Sequence, residues 1–325
     1  MNPRRLRAAL FQAGLAAAVA LVAWYFVSNT AANLESRRIA SGFAFLSREA
    51  GFEIGETTFV AYGAADTYLR ALAVGVLNTF RVASIGVVAA TLLGALLGLA
   101  RLSPNWLLAK LAAGYVEVIR NIPLLVQLFF WYAIITENLP GPRDALQPFA
   151  GVFLSNRGIA LPVVASWLPF SLEIPRLEGF NFAGGAVLTP EFAALIAGLV
   201  FYTAAFIAEI VRAGVLAVSR GQVDAANALG LTRRAALRYV VLPQALRLVV
   251  PPMTSQYLNL TKNSSLAVAI GYPDLVSIAN TTMNQTGQAI EGIAIIMAVY
   301  LTISLSISAL MNWYNRTVAL KGTRR

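Results

Sequence analysis

Residues 223–243 read V-D-A-A-N-A-L-G-L-T-R-R-A-A-L-R-Y-V-V-L-P, and this stretch says more about the fold than any other part of the chain. Its first part, Asp224–Leu229, is rich in alanine and predicts a short helix. Gly230 follows where helices commonly end in a left-handed residue, which glycine adopts without strain. Thr232 is suited to cap a second helix over Arg233–Val241. The stretch therefore predicts two short helices joined at a glycine.

The two helices together predict a rigid knob that another protein surface can approach closely. Ala225 and Ala226 carry almost no side-chain bulk, and Pro243 is expected to limit the second helix. The alternative is an ordinary amphipathic loop between two membrane spans. The defined spacing from Asp224 through Gly230 to Leu242 and Pro243 argues for the knob.

The composition places most of the chain in lipid. The chain has 58% hydrophobic and 12% charged residues, whereas soluble domains are about one-quarter charged. It contains no cysteine and no histidine, which excludes disulfides, thiolate metal sites and the commonest general base. The net charge of +10 does not indicate nucleic-acid binding, because the basic residues cluster at the ends of apolar runs.

Six apolar runs predict an all-α, polytopic bundle of about six transmembrane helices. They cover residues 8–27, 82–100, 111–135, 192–211, 245–278 and 292–313. The first follows three arginines but lacks a small-x-small cleavage site, so it predicts a retained anchor rather than a cleaved signal peptide. Residues 68–80 resemble an amphipathic lead-in at the outer surface. The fifth run contains Pro251 and Pro252 and predicts either a broken spanning helix or a helix followed by a re-entrant piece.

The basic residues predict the orientation. Residues 211–247 carry six arginines against one acid, and both termini are basic. Residues 29–69 carry three arginines against five acids, and residues 137–189 carry three against four. Six spans with both termini in the cytoplasm satisfy this pattern. The outer segment 137–189 contains six prolines, which forbid a long helix, and its apolar content favours a small packed cap.

Several motifs resemble one family of membrane proteins. The spacing of Asp224-Ala225-Ala226, Gly230, Val240 and Leu242-Pro243 resembles the cytoplasmic E-A-A loop of ABC importer permeases, with Asp for the usual Glu and Val for the usual Ile. The segments Y-V-E-V-I-R-N-I-P-L-L-V-Q at 115–127, F-I-A-E-I-V-R-A-G at 206–214 and K-N-S-S-L at 262–266 resemble the polar amino acid branch of this family. The added N-terminal run and long outer segment most resemble the Q-type permease of the general L-amino acid transporter.

The resemblance implies a fold, a function and a set of partners. It implies the type I ABC importer transmembrane fold, with an anchor and outer segment at 1–69 and a permease domain at 70–325. Within that domain it implies a periplasmic insertion at about 137–189 and a coupling loop at about 212–247. It implies a bacterial inner-membrane permease that forms half of an L-amino acid path, beside a second permease subunit, a homodimeric ATPase and a periplasmic binding protein. ATP and Mg would bind the ATPase, since this chain has no G-x-x-x-x-G-K-[ST] motif, and no cofactor is expected here.

Two charged pairs have the spacing of neighbours on one helix face. Glu117 and Arg120 are three residues apart, as are Glu209 and Arg212. An unpaired charge within a span is costly, so we expect Glu117 and Arg120 to form a structural ion pair, the alternative being direct contact with substrate. Arg212 is expected to pair with Glu209, which is also a candidate for the substrate path.

A polar run follows the fifth apolar stretch and predicts a part of that path. Lys262, Asn263, Ser264 and Ser265 offer donors for a carboxylate on what the sequence presents as the only broken helix. The alternative is that Lys262 lies at the cytosolic interface and extends its ammonium group into the head-group region.

The rival functional class is a self-sufficient secondary transporter or channel. Such a carrier is expected to show acidic residues or inverted repeats near the midplane, and the sequence shows neither. The docking-loop spacing has no use in such a protein. A membrane enzyme is disfavoured by the absence of histidine, cysteine and paired acids.

The orientation can be tested with reporter fusions. A reporter fused after Gly151 should read outside, and reporters after Arg220 or at the C-terminus should read inside, because the basic segments stay in the cytoplasm. Opposite labels at either place would overturn the six-span model. The measurement is the activity of a compartment-specific reporter enzyme in whole cells.

Overall fold

The computed structural model describes residues 3–36, 41–167 and 170–318 of the chain. Ten α-helices run through these residues. They are α1 (Pro3–Ser36), α2 (Tyr68–Ala100), α3 (Trp106–Asn121), α4 (Leu124–Ala133), α5 (Pro190–Leu216), α6 (Arg220–Ala228), α7 (Arg233–Ala236), α8 (Leu242–Asn263), α9 (Leu275–Thr286) and α10 (Ala289–Val318). The basic C-terminal residues Lys321, Arg324 and Arg325, used in the orientation argument, lie outside the described residues.

Within the described ranges, four helices are long and apolar enough to cross a membrane. They include residues of α1, α2, α5 and α10, and the bent pair α3–α4 makes a fifth candidate span. The sixth predicted span coincides with α8, which is 22 residues long but is not among these five. Helix α8 is less apolar than these helices because it carries glutamine, asparagine, threonine and lysine side chains.

Two helices are longer or more continuous than the sequence predicted. Residues 68–80 are not a surface lead-in, because they form the first turns of the single 33-residue helix α2, which Thr67 caps by accepting from the Arg70 amide. In α8, Pro251 and Pro252 lie inside an unbroken helix. Prolines in helices packed among other helices are tolerated when neighbouring groups satisfy the freed carbonyls. The helix ends only at Asn263, where a 3-10 segment, Ser264–Ile270, continues the chain to the left-handed Gly271.

A sharp break lies between α3 and α4. The two helix axes are bent by 105° at residues Ile122 and Pro123. The residue before a proline is pushed out of the helical region, and Ile122 has extended backbone angles. The Gln127 amide donates to the carbonyls of Ile119 and Ile122 at 2.9 and 3.1 Å, which satisfies groups that the break exposes. The segment at Lys262 is therefore not the only interruption in the bundle.

Helices α2 and α5 form the centre of the bundle. A Cβ atom placed on Gly94 would lie 2.6 Å from Ile207, and one on Gly98 would lie 2.8 Å from both the Ala208 carbonyl oxygen and the Val211 side chain. Such distances are shorter than van der Waals contact, so only glycine permits this approach. Small residues at helix crossings are the usual means of close packing in membranes. This contact therefore fixes the spacing of the two central helices.

The segment between α4 and α5 forms β-structure. The sequence analysis predicted a small packed cap here but did not predict strands. After a π-helical turn at Ile134–Asn138 and a 3-10 turn at Pro142–Asp144 come eight short strands. They are β1 (Leu146–Phe149), β2 (Val152–Ser155), β3 (Gly158–Leu161), β4 (Val163–Trp167), β5 (Phe170–Glu173), β6 (Arg176–Glu178), β7 (Asn181–Ala183) and β8 (Ala186–Leu188). Strands β1, β2, β3 and β8 form one sheet in that order, while β4–β5 and β6–β7 form separate antiparallel pairs.

The outer segment 41–67 packs onto the bundle instead of standing apart from it. Its 3-10 turn, Phe43–Ser47, begins a buried cluster with the first turns of α2 and with α9. Glu56, which is 7% exposed, accepts from Arg81 at 2.9 Å and from the Thr189 hydroxyl at 2.6 Å. Because Arg81 lies on α2 and Thr189 caps α5, one buried carboxylate joins three segments at the end of the bundle where the β-strands attach, the insertion end.

The α2–α5 contact leads to a stability prediction. Gly94→Ala should destabilise the protein by about 1–3 kcal/mol, because its Cβ would collide with Ile207 and overpack the interface. Gly114→Ala on α3 is the matched control, since a Cβ there meets nothing within 4 Å and alanine is a better helix former. The measurement is thermal unfolding in detergent. Equal melting temperatures for the two variants would contradict the close contact.

Candidate functional site

The predicted knob is present in the structure. Helix α6 ends at Ala228 and is followed by the left-handed Gly230 with φ of 77°; the Gly230 and Leu231 amides donate to the carbonyls of Asn227 and Ala226. Thr232 then caps α7 by accepting from the Ala235 amide at 3.3 Å. These features agree with the sequence analysis, except that α6 begins earlier, at Arg220. The end of the bundle that carries this knob is called the loop end below.

The residues of the knob differ in exposure. Asp224 and Ala225 are exposed, but Ala226 is only 3% exposed and packs inward. A partner surface can therefore reach Ala225 but not Ala226, which serves the internal packing of the knob. Leu229 is 83% exposed immediately before the glycine turn. The sequence analysis missed Leu229, although an apolar residue beside a predicted turn glycine is a readable signal.

The second helix of the knob does not end at Pro243. Helix α7 passes into a π-helical turn, Leu237–Val241, and then directly into α8. The Leu242 amide bonds to the Leu237 carbonyl, five residues back. Proline lacks an amide hydrogen and collides with the carbonyl four residues earlier in a regular helix, so the wider π turn accommodates it. Leu242 and Pro243 are therefore the first residues of α8, and helical backbone continues without a gap from α7 through the π turn into α8.

A network of three charges lies at the loop end between α2 and α5. Arg212 donates to Glu209 at 2.5 Å, as the spacing predicted. Arg101, at the end of α2, donates to the other oxygen of the same carboxylate. The Arg101 side chain is 16% exposed and the Glu209 side chain 28% exposed. Because one carboxylate serves two guanidinium groups, the network has a net charge of +1.

The expected ion pair between Glu117 and Arg120 is not formed. Among the residues that the structure describes, the Glu117 carboxylate has no hydrogen-bond or ion-pair partner, and both side chains are exposed. The Arg120 guanidinium lies over the Phe206 ring, 5.0 Å from its centre. That ring on α5 draws Arg120 away from Glu117, so helical spacing alone gave the wrong pairing.

An open pocket lies between α2, α3 and α5 and is called the inner pocket. Four of the charged side chains described above line it: Arg101, Glu117, Arg120 and Glu209. It has a volume of about 390 Å³. Its polar and aromatic lining consists of Arg101, Glu117, Arg120, Asn121, Phe206 and Glu209. The pocket therefore contains both signs of charge beside one aromatic ring.

The structure separates the four residues of the predicted polar run. Lys262 is exposed near the end of α8, whereas Ser264 is fully buried and donates to the Thr261 carbonyl at 2.7 Å. Ser265 donates to the Lys262 carbonyl at 2.7 Å, and Asn263 is half-buried. Helix α8 is roughly 30 Å long, so Lys262 lies at the opposite end from the knob. If the knob is cytosolic, Lys262 does not lie at the cytosolic interface.

Comparisons with known proteins agree with this architecture. A family model described as "Binding-protein-dependent transport system inner membrane component" matches residues 86–320. The putative amino-acid ABC transporter permease protein YhdX of Escherichia coli K12 is 48% identical, over 98% of this chain and 95% of that protein. The general L-amino acid transport system permease protein AapQ of Rhizobium johnstonii is 43% identical, over 91% and 88%.

The solved structures give the same picture of the fold. A chain of an amino acid ABC transporter superimposes with a TM-score of 0.56 and 26% identity, covering 77% of this chain and 95% of that one. A chain of the MetNI methionine ABC transporter superimposes with a TM-score of 0.55 at 18% identity, which supports the fold alone.

The helix bundle and its glycine-jointed knob define a transmembrane subunit of a type I ABC importer. The chain belongs to the family of binding-protein-dependent transport system inner membrane components. Members of this family are permease subunits, so the chain is a transport subunit and not an enzyme.

Proposed function

We propose that this chain is one of two permease subunits of an ATP-driven importer of L-amino acids. The observation that carries the proposal is its similarity over nearly the whole chain to YhdX and AapQ, whose names specify amino-acid transport. A third relative, the glutamate/glutamine/aspartate/asparagine transport system permease BztB of Rhodobacter capsulatus, is 37% identical over 96% of this chain. A general or acidic-amide amino acid substrate is consistent with all three.

The proposed partners are an ABC ATPase homodimer, a second permease and a periplasmic amino-acid-binding protein. ATP and Mg would bind the ATPase. Two different relatives in Escherichia coli CFT073, GltJ and GltK, are both named as glutamate/aspartate import permeases and are 34% and 30% identical to this chain. This favours a second permease that is related but different over a second copy of this chain. No nucleic acid takes part.

We place the loop end of the bundle in the cytoplasm of a bacterial inner membrane, with both termini on the same side. The support is electrostatic: Arg101, Arg212 and the arginines of α6 and α7 gather at the loop end. The insertion end instead carries Glu56 and the acid-leaning insertion. Positively charged loops are retained on the cytoplasmic side.

The knob is proposed to dock on the ATPase. Asp224, Ala225, Gly230 and the exposed Leu229 present one surface, and Ala226 holds it from within. Leu242 and Pro243 pass movement to the bundle at the start of α8. The unbroken helical backbone from α7 through the π turn into α8 supports a role in transmitting movement from ATP-driven closure of the partner.

The substrate path is proposed to run along the face of α8 that ends at Lys262. Asn263 and Ser265 lie beside it with accessible surface, while Ser264 contributes from the interior by shaping the end of the helix. At the loop end of the path, Glu209 is held by its two arginine partners, and it acts there as part of the charged wall.

The coupling role can be tested at the glycine turn. Gly230→Val should abolish ATP-driven uptake, because a β-branched residue at φ of 77° is strained by about 1–2 kcal/mol and would distort the knob. Gly221→Ala is the matched control: it lies on α6 without positive φ, and its Cβ meets nothing within 4 Å. The measurement is amino-acid uptake by vesicles that contain the complete complex.

The outcomes separate coupling from folding. The Gly230→Val chain should insert in normal amounts yet retain less ATPase in co-purification. Wild-type uptake by this variant would remove the docking assignment. Uptake by the wild-type complex that needs neither ATP nor binding protein would contradict the proposed function itself.

The path assignment can be tested at Lys262. Lys262→Ala should weaken apparent substrate affinity at least about tenfold, because a charge-assisted hydrogen bond is worth about 1.5–3 kcal/mol. Lys262→Arg should not restore the affinity, since the planar guanidinium is larger and differently directed. Lys110→Ala, an exposed lysine on α3, is the control. Unchanged affinity and selectivity in both Lys262 variants would remove this segment from the path.

A further inference from the structure

Three arginines without carboxylate partners cluster where the knob passes into α8. Arg233, Arg234 and Arg238 lie on α7 and the π turn, and all three are exposed. Among the residues that the structure describes, none of the three forms an ion pair. The Arg238 guanidinium lies over the Tyr239 ring, 5.7 Å from its centre. The described part of the chain therefore leaves this positive charge without a counter-charge.

Two of these arginines begin a row of exposed side chains that continues along α8. The row consists of Arg234, Arg238, Leu242 and Leu246, at intervals of four residues, and it is called the α7–α8 row below. Residues four apart lie on the same face of a helix, and the helical backbone has no gap between α7 and α8. The two leucines are 46% and 39% exposed. The first half of the row is cationic and the second half is apolar.

The contact between α5 and α8 gives the depth of this row in the membrane. Helix α5 is a candidate span that ends at Leu216. A Cβ atom placed on Gly214 would collide with the Val249 side chain and would lie 3.4 Å from the Ala245 carbonyl oxygen. The last turn of α5 is therefore level with the first turns of α8. Those first turns lie at the loop-end edge of the apolar span.

The arginines lie beyond that edge, at the level of the lipid head groups. Arg238 and Arg234 precede Leu242 by four and eight residues, which is at most roughly 6 and 12 Å along a helix. The head-group layer adds about 5–8 Å to each side of the hydrocarbon core. A long arginine side chain can place its guanidinium in this layer. Tyr239 is 67% exposed beside them, and tyrosine is enriched at the same interface.

A phospholipid carries its groups in the same order as the row. Its phosphate is an acceptor for the forked donors of Arg234 and Arg238. One of its acyl chains can lie along Leu242 and Leu246. The ATPase lies outside the membrane and could contact only the cationic half of the row. A head group with a net negative charge is favoured over a zwitterionic one, because the arginines lack a counter-charge.

We propose that the α7–α8 row binds one anionic phospholipid of the inner leaflet, with the head group on its two arginines and an acyl chain along its two leucines. The inference rests on the proposed placement of the loop end in the cytoplasm. It concerns the surrounding lipid and is independent of the transported substrate. The lipid would lie at the junction between the knob and the bundle.

A fluorescent label in the apolar half of the row tests the proposal. The chain contains no cysteine, so Leu246→Cys gives it a single site for the label. The complete complex, with the cysteines of its other subunits replaced, is reconstituted into phosphatidylethanolamine vesicles. Part of this lipid is then exchanged for brominated phosphatidylglycerol or for brominated phosphatidylethanolamine with the same acyl chains. Phosphatidylglycerol should reach half-maximal quenching at a mole fraction at least about fivefold lower, because its head group is anionic.

Substitutions in the labelled chain assign the preference to the row. Arg234→Gln with Arg238→Gln should bring the two lipids within about twofold of each other, since both positive charges of the row are removed. Lys110→Gln with Arg220→Gln removes the same charge from two exposed residues outside the row and should leave the preference unchanged. Co-purification of the ATPase with each variant shows that it has folded and assembled. The comparison of the two lipids on the chain with both arginines needs neither variant.

Four results would each overturn the proposal. Equal quenching by the two lipids shows an ordinary lipid-facing surface. Quenching by neither lipid shows that the second permease or the ATPase covers the row. A preference that survives in the arginine double variant, or that the control variant loses to the same extent, shows that the row does not hold the head group. ATP-driven amino-acid uptake by the wild-type complex is measured separately, so the proposed function can stand without this site.

Discussion

The close approach of α2 to α5 through Gly94 and Gly98 is the contact on which the rest of the molecule depends. A Cβ atom at either position would collide with α5, so the two helices can approach this closely only because both residues are glycine. This contact brings Arg101, at the end of α2, within reach of Glu209 on α5. It thereby sets one wall of the inner pocket and the point from which α5 leads into the knob. In a membrane, where lipid tails offer no hydrophobic drive for helix association, such packing supplies much of the specificity.

The two charged pairs show how much the sequence spacing of two charges can predict about whether they form an ion pair. Glu209 and Arg212 pair, whereas Glu117 and Arg120 have the same spacing and do not. The difference comes from residues distant in sequence. Arg101 adds a second donor to Glu209 and holds its carboxylate, while Phe206 offers Arg120 a ring surface. A helix places two side chains on one face, but tertiary neighbours decide which partner each of them takes.

The two ends of the bundle use different devices for different tasks. At the loop end, a positive-φ glycine and a π-helical turn produce a compact knob that continues directly into α8. At the insertion end, the buried carboxylate of Glu56 joins the outer segment to α2 and to the cap of α5, beside the short β-strands. A continuous helical connection at the loop end, and a cover held by the Glu56 contacts at the insertion end, are suited to movement that enters the bundle at the knob.

The sequence by itself determined the membrane class, most of the apolar spans, the turn at Gly230 and the cap of α7 at Thr232. Hydropathy and local backbone preference act over a few residues, so a short stretch of sequence is enough to show them. It also indicated the family through the spacing of the knob. Only the tertiary structure decided that α3 and α4 meet at a sharp angle, that α8 runs through Pro251 and Pro252, and that the insertion forms strands. It also decided that Ser264 is buried while Lys262 is exposed, and that Glu117 does not pair with Arg120, whose guanidinium lies over the Phe206 ring. These features depend on residues distant in sequence, which accept or donate the hydrogen bonds of a freed carbonyl, pair with the edge of a strand or meet a charge. A local sequence pattern does not show which distant residues these are.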